Sequence, residues 1–334
     1  MSVDIVVGLQ HGDEGKGKVV ADLIKNNSYD YCVRFNGGPN AGHTLYLNNV
    51  KIVTHHIPSG IIHNIPSIIG PGCVIDLHKL KEEITMLETH GIPVKSLLKV
   101  AYNAHVITNQ HIMDDIKNDA IGSTHSGIRP VYRDKYNRCG TRIGDLDYTG
   151  PFADVLHPSQ IIDTSKILCN KHILCEGAQG FELDIDWGDY PYVTSSHCIS
   201  GFVTTLGISP KTIDKIYGVA KIYGTYVGKK DYQPQGDLEL EKLGELGGEF
   251  GSTTGRKRQC NWLNIDRLLV SINVNGVTNL IINKCDIIKN LGIYKIIYQG
   301  TLREFNNFQE MQQLIVDNIN SKIKIIFSEN KETI

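Results

Sequence analysis

The sequence lacks several features that mark membrane, fibrous and nucleic-acid-binding proteins. No stretch approaches the ~18 consecutive apolar residues that a membrane-spanning helix needs. The formal net charge is only −2, and Lys and Arg are spread along the chain, so no global field favours DNA or an anionic membrane. Internal repeats, low-complexity tracts and Pro- or Ser-rich linkers are also missing. We therefore expect neither nucleic acid nor membrane as a partner, although local sites can still bind small anions.

Cysteine pairs and a targeting segment are missing too. None of the eight cysteines stands in a CxxC pair, and their neighbours are largely apolar or strand-like, which predicts reduced, buried thiols. The chain begins MSVDIVVGLQ and enters a strand directly, without the basic segment and cleavage site of a secretory signal. We expect a cytoplasmic protein, in the cytoplasm of its own cell or of a host.

The residues that are present predict a globular α/β protein. Hydrophobic residues make up 41% of the sequence and charged residues 21%, which is typical of a chain that buries a large core. An apolar run at residues 3–7 is followed by a glycine-rich turn and a segment of helical period. Further strands are predicted near residues 31–35, 67–69, 98–101, 172–175, 215–222 and 280–283, and further helices at residues 77–89 and 307–319.

This alternation predicts an α/β fold with a mainly parallel central sheet flanked by helices, and the motif at residues 12–18, described next, makes the predicted fold P-loop NTPase-like. We also expect smaller subdomains and long active-site loops. Residues 223–259 are rich in Gly and charge and are predicted to form one long irregular segment.

The motif GDEGKGK, residues 12–18, directly follows the first strand. Gly12, Gly17 and Lys18 match a phosphate-binding P-loop, except that Val19 stands where Ser or Thr normally binds magnesium. Glycines let backbone N–H groups turn toward a phosphate, and the following helix offers its positive N-terminal end. A metal that accompanies the nucleotide must therefore find another ligand.

Asp13 is an acidic residue inside this anion-binding turn. Its carboxylate would repel phosphate unless it binds magnesium or removes a proton from a substrate, and both roles fit phosphoryl transfer. A second loop, NAGHT at residues 40–44, places His43 among small residues, where an imidazole can approach a nucleotide and donate a proton. Alone, each motif also fits an ordinary surface turn or an uninvolved histidine. Together they favour a phosphoryl-transfer site.

The motif NKCD, residues 283–286, follows a predicted strand and resembles the guanine-binding NKxD motif of GTPases. The Asp286 carboxylate can accept hydrogen bonds from the N1–H and the exocyclic amine of guanine, which adenine cannot reproduce. The motif therefore favours GTP over ATP.

Five blocks in family order resemble adenylosuccinate synthetases: GDEGKGK, NAGHT, and residues 121–146, 176–196 and 250–262. The chain is similar to the compact form found in archaea and some viruses. The resemblance implies a single synthetase-like domain, residues 1–334, that forms a C–N bond in AMP biosynthesis. Its substrates would be IMP, L-aspartate and GTP, and its products adenylosuccinate, GDP and phosphate.

The resemblance also implies roles for individual residues. Asp13 matches the general base that removes the purine N1 proton, so that O6 attacks the γ-phosphate and a 6-phosphoryl intermediate forms. His43 matches the general acid that stabilises the charge developing during transfer. The Asp13 carboxylate and the Gly42 carbonyl match the ligands of one Mg²⁺ ion per subunit. These ligands would take the place of the missing P-loop hydroxyl.

Three substrate sites follow from the same resemblance. The positions that match GTP contacts are Gly12, Asp13, Glu14, Gly15, Lys16, Gly17, Lys18, Gly42, His43, Thr44, Arg258, Lys284, Cys285 and Asp286. Those that match IMP contacts are Asp13, Lys16, Asn40, Ala41, Gly42, His43, Thr124, Arg138, Gln179, Thr194 and Arg256. Those that match the aspartate-binding loop are Ser252, Thr253, Thr254, Gly255, Arg256, Lys257 and Arg258.

Arg138 matches an arginine that reaches into the active site of a partner subunit, so the resemblance implies a homodimer with shared sites. Two places depart from the family pattern. Ser126 stands where bacterial members usually carry Arg, which alters the expected contacts to aspartate or its loop. Glu329 and Asn330 occupy the place of a Gly-Pro pair beside the guanine, which bears on the choice of donor base.

Two alternatives stay open. A phage branch of the family acts on (d)GMP with ATP or GTP, and many of its members replace the residue matching Asp13 with Ser; the presence of Asp13 favours IMP. The P-loop and NKCD motifs alone would also fit a GTP-binding regulatory module. Such a module has no need for the loop at residues 252–258, for Gln179 or for Thr194.

Overall fold

A parallel sheet of nine strands forms the centre of the computed structural model, which describes residues 1–47, 50–117, 121–150, 154–251, 255–330 and 333–334. Numbered along the chain, the strands of these residues are β1 (Ser2–Gly8), β2 (Tyr31–Arg34), β3 (His43–Leu47), β4 (Val50–Thr54), β5 (Ser67–Ile69), β6 (Val74–Ile75), β7 (Leu98–Ala101), β8 (His105–Val106), β9 (Ile161–Ile162), β10 (His172–Glu176), β11 (Ile213–Lys221), β12 (Tyr223–Tyr226), β13 (Gln259–Asn264), β14 (Asn279–Asn283), β15 (Tyr294–Tyr298), β16 (Thr301–Phe305) and β17 (Lys324–Phe327).

The α-helices of the same residues are α1 (Lys16–Asn26), α2 (Leu77–Thr89), α3 (Val94–Leu97), α4 (Asn109–Lys117), α5 (Ile128–Tyr136), α6 (Thr164–Ile167), α7 (Leu238–Gly247), α8 (Ile265–Asn275), α9 (Cys285–Leu291) and α10 (Phe308–Asn318). Short 3-10 helices lie at Ser59–His63, Ile143–Asp145, Pro158–Gln160, Phe181–Leu183, Ser200–Leu206 and Pro210–Thr212.

Across the central sheet the order is β17–β14–β11–β1–β10–β2–β5–β7–β9, and every neighbouring pair is parallel. Parallel sheets are normally covered on both faces, and the residues of β1 show this directly. Val3, Ile5 and Val7 belong to a core that includes residues of α8 and α10. Val6 points to the opposite face, into a core with residues of α1. The predicted α/β fold with a mainly parallel, helix-flanked sheet is confirmed.

Smaller sheets surround the central one. The strands β12, β13, β15 and β16 form a second sheet, in which β13 and β15 are parallel and the two outer pairs antiparallel. The strands β3 and β4 form an antiparallel pair, and β6 and β8 a parallel pair. No helix in the described part of the chain combines the length and the apolar character of a membrane span.

One secondary-structure prediction was wrong. Residues 223–259 are not one irregular segment, because they contain β12 and α7. The aromatic-rich β12 pairs with β13, a strand that begins only at the last residue of the segment. The helix α7 is capped by the Asp237 side chain, which accepts hydrogen bonds from the backbone N–H groups of Glu239 and Leu240 at 3.0 and 3.1 Å.

The cysteine prediction was correct for most of the thiols. All eight cysteines are free, and six are buried. Cys139 and Cys169 are exposed, contrary to the expectation that all would be buried. Both lie in short polar connections between elements rather than within a strand.

The loops that carry the predicted motifs follow strands in the middle of the sheet. GDEGKGK follows β1, the glycine-rich segment before NAGHT follows β2, Gln179 follows β10, and NKCD overlaps the end of β14. In open α/β sheets, ligands bind outside the carboxyl ends of the strands. The fold therefore brings these motifs together at the carboxyl ends of the central strands.

Candidate active site

A cavity of about 460 Å³ opens at the carboxyl ends of the central strands. It is lined by residues 12–18 and 40–44, and by Thr124, Gln179, Thr194, Arg256, Arg258, Lys284 and Asp286. Most of the positions predicted from the sequence therefore share one site. Ser252, Thr253 and Thr254 lie outside the described residues.

Four predicted positions do not line the cavity. Cys285 is buried, and its thiol donates to the Ile282 carbonyl at 3.3 Å. Gly255 and Lys257 are exposed beside the cavity-lining arginines. Arg138 is exposed just beyond α5, with a φ of 62°. A contact of Arg138 with a ligand in this cavity of the same chain is therefore not indicated.

The phosphate-binding turn is held together by the Glu14 side chain. Glu14 is buried, and its carboxylate accepts hydrogen bonds from the backbone N–H groups of Gln10 and Gly12 at 3.2 and 2.8 Å. Lys16 Nζ donates to the same carboxylate at 2.7 Å and also to the carbonyl of Gln179. Because this carboxylate points inward, a nucleotide would meet the backbone of Glu14 rather than its side chain.

Asn283 of the NKCD motif joins the turn to β14. Its Nδ2 donates to the Glu14 carbonyl at 2.7 Å. Gly15 caps α1 with a φ of 92°, and a Cβ at that position would lie 2.9 Å from Asn283 Nδ2. Glycine is therefore required there by both backbone conformation and space. Lys284 donates to the Gly247 carbonyl at 2.9 Å, and Asp286 lines the cavity at the same end.

Asp13 faces an arginine across the cavity. Its φ is 59°, in the left-handed region, and its Oδ2 lies 2.7 Å from Arg258 Nη2. Arg258 Nη1 also donates to Glu249 Oε2 at 2.5 Å. The predicted general base and the last residue of the predicted aspartate loop are therefore in direct contact.

Glu249 anchors this arginine to a buried polar network that the sequence did not predict. Tyr223 donates its hydroxyl to Glu249 at 2.6 Å, and Lys221 Nζ lies 3.3 Å from the same carboxylate. Burial opposes the ionised form of Glu249, but Lys221 and Arg258 together lower its pKa to about 2. Burial also lowers the pKa of Lys221. Through Glu249, this network holds the Arg258 guanidinium in place.

His43 is oriented by a second carboxylate that the sequence did not single out. His43 begins β3 and is buried, and its Nδ1 bonds to Glu176 at the end of β10. Ser59 donates its backbone N–H to Glu176 at 2.7 Å. Burial lowers the pKa of His43, and Glu176 opposes that shift. Burial likewise opposes ionisation of Glu176, yet His43, Arg34 and Ser59 lower its pKa to about 2.

Polar atoms on the cavity wall point to a polar ligand. The Oε1 and Nε2 atoms of Gln179 and the Oδ1 atom of Asn40 are shielded from solvent and have no hydrogen-bond partner among the described residues. Gln179 also has a φ of 54°, in the left-handed region. Shielded polar groups are normally satisfied, so these amides favour a ligand that supplies donors and acceptors.

The C-terminal residues close the cavity near Lys18. Lys18 Nζ donates to Ser328 Oγ at 2.8 Å and to the Asn330 carbonyl at 2.9 Å. Burial lowers the pKa of Lys18 to about 8, although Asp286 opposes that shift. Asn330 lines the same cavity, so one of the two residues that replace a Gly-Pro pair lies on the cavity wall.

Arg256 and Thr124 both line the cavity. Arg256 Nη2 donates to the Ser123 carbonyl at 2.9 Å, and Thr124 Oγ1 donates to Ser126 Oγ at 3.1 Å. Ser126 is buried and leaves the wall without the arginine usual at that position. Arg129, one turn further on, lines the cavity and was not predicted from the sequence.

The donor set for a metal is small. Within the described ranges, no group of three or more His, Cys, Asp or Glu side chains could hold an ion. Asp13 and Gly42 nevertheless line the same cavity as the phosphate-binding turn. Mg²⁺ often binds through one or two carboxylates and the phosphates of a substrate, so these two residues fit such an ion together with a nucleotide.

Comparisons with known proteins identify the family of this chain. A family model described as adenylosuccinate synthetase matches residues 5–160 and 152–316. The adenylosuccinate synthetase of Christiangramia forsetii is 39% identical over 345 residues, which cover 89% of this chain and 81% of that protein. A structure of fully ligated adenylosuccinate synthetase from Plasmodium falciparum matches with a TM-score of 0.80 at 31% identity, covering 94% of this chain and 86% of the other.

A second solved structure shares the fold. It is a succinoaminodeoxyadenylate synthetase from cyanophage S-2L, bound to dGMP and to dATP as an energy donor. It matches with a TM-score of 0.79 over 99% of this chain and 93% of the other, at 21% identity. At that identity the likeness shows the fold and does not extend to substrates.

Proposed function

This chain belongs to the adenylosuccinate synthetase family, and we propose that it is the ligase that joins L-aspartate to IMP at the expense of GTP. The products are adenylosuccinate, GDP and phosphate. The observation that carries the proposal is the meeting of Asp13, His43 and the shielded Gln179 amide around one cavity with a phosphate-binding turn. A module that only bound GTP would need the turn but not the other groups.

The first chemical step activates the purine. Asp13 takes the proton from N1, the electron pair moves to O6, and O6 attacks the γ-phosphorus while the bond to the leaving GDP breaks. A carbonyl oxygen is a poor leaving group, and phosphorylation makes it a good one. Lys16 and the N-terminal end of α1 lie where the phosphates would be bound and their charge stabilised.

The second step forms the C–N bond. The amine of aspartate attacks C6 of the 6-phosphoryl intermediate, the phosphate leaves with the C6–O6 bonding pair, and the nitrogen loses a proton. Arg256 and Arg258 lie on the cavity wall and are suited to the two carboxylates of aspartate. To bind a carboxylate, Arg258 must at least partly exchange its present contact with Asp13.

One ring nitrogen of His43 is hydrogen-bonded within the protein. Because Nδ1 bonds to Glu176, Nε2 is the nitrogen left for a substrate. The Glu176 carboxylate therefore sets the ring orientation and favours a proton on Nδ1. Protonated on both nitrogens, His43 can donate through Nε2 to charge that develops on O6 or on the phosphoryl group.

Asp13 and the Gly42 carbonyl are the groups that would hold Mg²⁺ together with the nucleotide phosphates. When bound, the ion neutralises charge on the phosphates during transfer. The position of Asp13 on the turn lets the same side chain lie near both the phosphate and the base.

For the donor, we propose GTP bound with its phosphates on residues 12–18 and its base near Asp286. The Asp286 carboxylate and the Asn330 residue beside it line the same end of the cavity. The carboxylate suits the N1–H and amino group of guanine.

We further propose that the enzyme works as a homodimer in which Arg138 enters the partner's cavity. The exposure of Arg138 and its absence from the cavity of its own chain support this. If the sites are shared, Arg138→Leu should raise the Michaelis constant for the purine nucleotide. Mixing it with Asp13→Asn should restore part of the activity, because hybrid dimers would contain one intact site; no recovery on mixing, despite subunit exchange, would argue against shared sites.

The proposed activity can be tested by following the absorbance of adenylosuccinate after mixing the purified protein with IMP, GTP, Mg²⁺ and aspartate. The matched control omits aspartate. A panel of IMP, dIMP, GMP and dGMP, each with GTP or ATP, then fixes the substrate pair. Turnover of dGMP without turnover of IMP would replace IMP as the substrate, and GTP binding without turnover of any purine would favour the regulatory module.

A further inference from the structure

Arg129 differs from the other cations on the cavity wall. Among the described lining residues, the Lys and Arg side chains are Lys16, Lys18, Arg129, Arg256, Arg258 and Lys284. Five of these have a protein oxygen within 3.0 Å of a side-chain nitrogen. The contacts of Arg129 are longer: 3.5 Å from Nη2 to the Asp114 carbonyl and 3.9 Å from Nε to Asp115 Oδ1. Its guanidinium is therefore the most loosely engaged of this set.

The surroundings of Arg129 orient it without a close ion pair. Asp115 is buried and also lines the cavity, and its Oδ2 accepts the backbone N–H of Gly127 at 3.0 Å, which fixes the carboxylate at the start of α5. Ile128 and Arg129 are the first two residues of α5, and both line the cavity. The positive end of the helix therefore opens onto the site, and no side chain caps it.

The position of Arg129 places it at the purine-nucleotide end. Ile128 packs near the glycine-rich segment before NAGHT, since a Cβ on Gly38 would lie 3.1 Å from Ile128 Cδ1. Asn40 follows two residues later and carries the unpartnered Oδ1. Thr124, the other nearby position proposed to contact IMP, precedes α5 on the same wall. Asn40 and Thr124 are neutral, so neither balances the charge of a phosphate.

We propose that Arg129 binds the 5′-phosphate of the purine nucleotide, as a specificity-determining residue for a nucleotide over a nucleoside. This rests on the proposed function. A phosphate dianion requires cationic donors, and an arginine at a helix N-terminus supplies both a guanidinium fork and a favourable dipole. The buried Ser126 hydroxyl supplies no charge at its own position. Arg129, one helical turn after Ser126, therefore supplies the phosphate with positive charge from the same chain.

The test compares Arg129→Gln and Arg129→Lys with Arg133→Gln. Arg133 lies on the same helix, is exposed, pairs with Asp134 at 2.9 Å and does not line the cavity. Calorimetric binding of IMP and of inosine is measured without GTP or aspartate, followed by steady-state kinetics for each substrate. The expected result for Arg129→Gln is IMP affinity lower by roughly 10- to 100-fold, from loss of a charge-assisted contact, with inosine affinity unchanged.

The controls separate the proposal from its alternatives. Arg129→Lys should recover part of the IMP affinity, and Arg133→Gln should bind IMP like the wild type. Unchanged IMP affinity in Arg129→Gln, equal losses for IMP and inosine, or a rise confined to the Michaelis constant for aspartate would each overturn it. If the wild type binds IMP over inosine but does not turn it over, the proposed function fails while this assignment is still tested by binding.

Discussion

Arg258 Nη2 lies 2.7 Å from Asp13 Oδ2, so the proposed general base is held by an arginine from the proposed aspartate loop. The contact links the two half-reactions through one pair of side chains. The Asp13 oxygen that contacts the Arg258 guanidinium is occupied by that contact and does not face a substrate. Entry of a substrate carboxylate can draw the guanidinium away, which couples arrival of aspartate to release of the base.

The role of Asp13 predicts a specific kinetic change. Asp13→Asn keeps the shape of the side chain and an oxygen that can accept from Arg258, but it cannot take the N1 proton. Turnover should fall by about 10²- to 10⁴-fold, the usual contribution of a general base, while the affinity for GTP measured without Mg²⁺ changes little. Rates and nucleotide binding should be measured together. Asp22→Asn, on α1 but away from the cavity, is the control and should leave both unchanged.

The network behind Arg258 predicts a loss of stability. Glu249→Gln removes the carboxylate charge that Lys221 and Arg258 face, and the buried amine of Lys221 then lacks its ionic partner. The free energy of unfolding should fall by about 3–5 kcal/mol, as when one partner of a buried pair is removed. Urea unfolding of the variant and the wild type measures this free energy. Glu245→Gln, exposed on α7, should change it by less than about 0.5 kcal/mol. A Glu249→Gln protein as stable as wild type would contradict the network's importance.

The same carboxylates predict how stability depends on pH. The pKa values of Glu176 and Glu249 are about 2 in the folded protein, against 4.5 ordinarily. The unfolded chain therefore takes up these protons first as the pH falls. Their contribution is present above pH 4.5 and is lost as the pH falls from about 4.5 toward 2. Unfolding curves at stepped pH should show this decline, with a shallower slope for Glu249→Gln.

The pairing of Glu176 with His43 predicts a shifted pH–rate profile. Glu176 opposes the lowering of the His43 pKa by burial, so Glu176→Gln should lower that pKa further. Activity that depends on protonated His43 is lost as the pH rises, and in the variant the loss should begin at a lower pH. A reduced kcat with an unmoved profile would assign Glu176 a merely structural role. An NMR titration of the His43 ring gives the pKa directly.

Lys18 predicts that donor binding weakens in mild alkali. Its pKa is about 8, so the ammonium charge is lost as the pH rises through that value. The affinity for GTP should decline between pH 7 and 9, approaching tenfold per pH unit at the upper end if the bound phosphates require the charged form. Lys18→Arg keeps its charge and should remove this dependence. Equal pH dependence in both proteins would exclude Lys18 as its source.

The sequence predicted the sheet well because its strands are short apolar runs bounded by turns. It located α2 over the observed Leu77–Thr89, and it made α10 one residue too long at each end, because Asn307 and Ile319 are the caps. It missed α7, whose apolar positions are diluted by two glycines and by charge. It missed β12 because pairing with β13 is a long-range contact.

Some parts of the site follow from residues close together in the sequence, and other parts depend on residues far apart in the chain. The spacing of glycines and lysines identified residues 12–18, because a phosphate-binding turn is a local structure. Glu176 is separated from His43 by 133 positions, and only the fold brings them together. An acidic residue at the end of a buried strand was the available signal. The inward direction of Glu14 also depends on the turn itself, where Asp13 and Gly15 adopt left-handed conformations.

Arg129 was missed for a different reason. In the sequence it looks like any solvated arginine at the start of a polar helix, and its side chain is half exposed in the structure as well. What distinguishes it is the cavity in front of α5 and the loose contacts behind it. Neither property has a pattern in a single sequence.

The hydrogen bond from Asn283 Nδ2 to the Glu14 carbonyl ties the end of β14, which we propose recognises the donor base, to the phosphate-binding turn. A nucleobase that fits poorly against NKCD would displace Asn283 and, through it, the turn that carries Asp13. Donor discrimination in this enzyme should then be visible in the speed of the chemical step and not in the dissociation constant alone. A poor donor would be penalised even when it saturates the site.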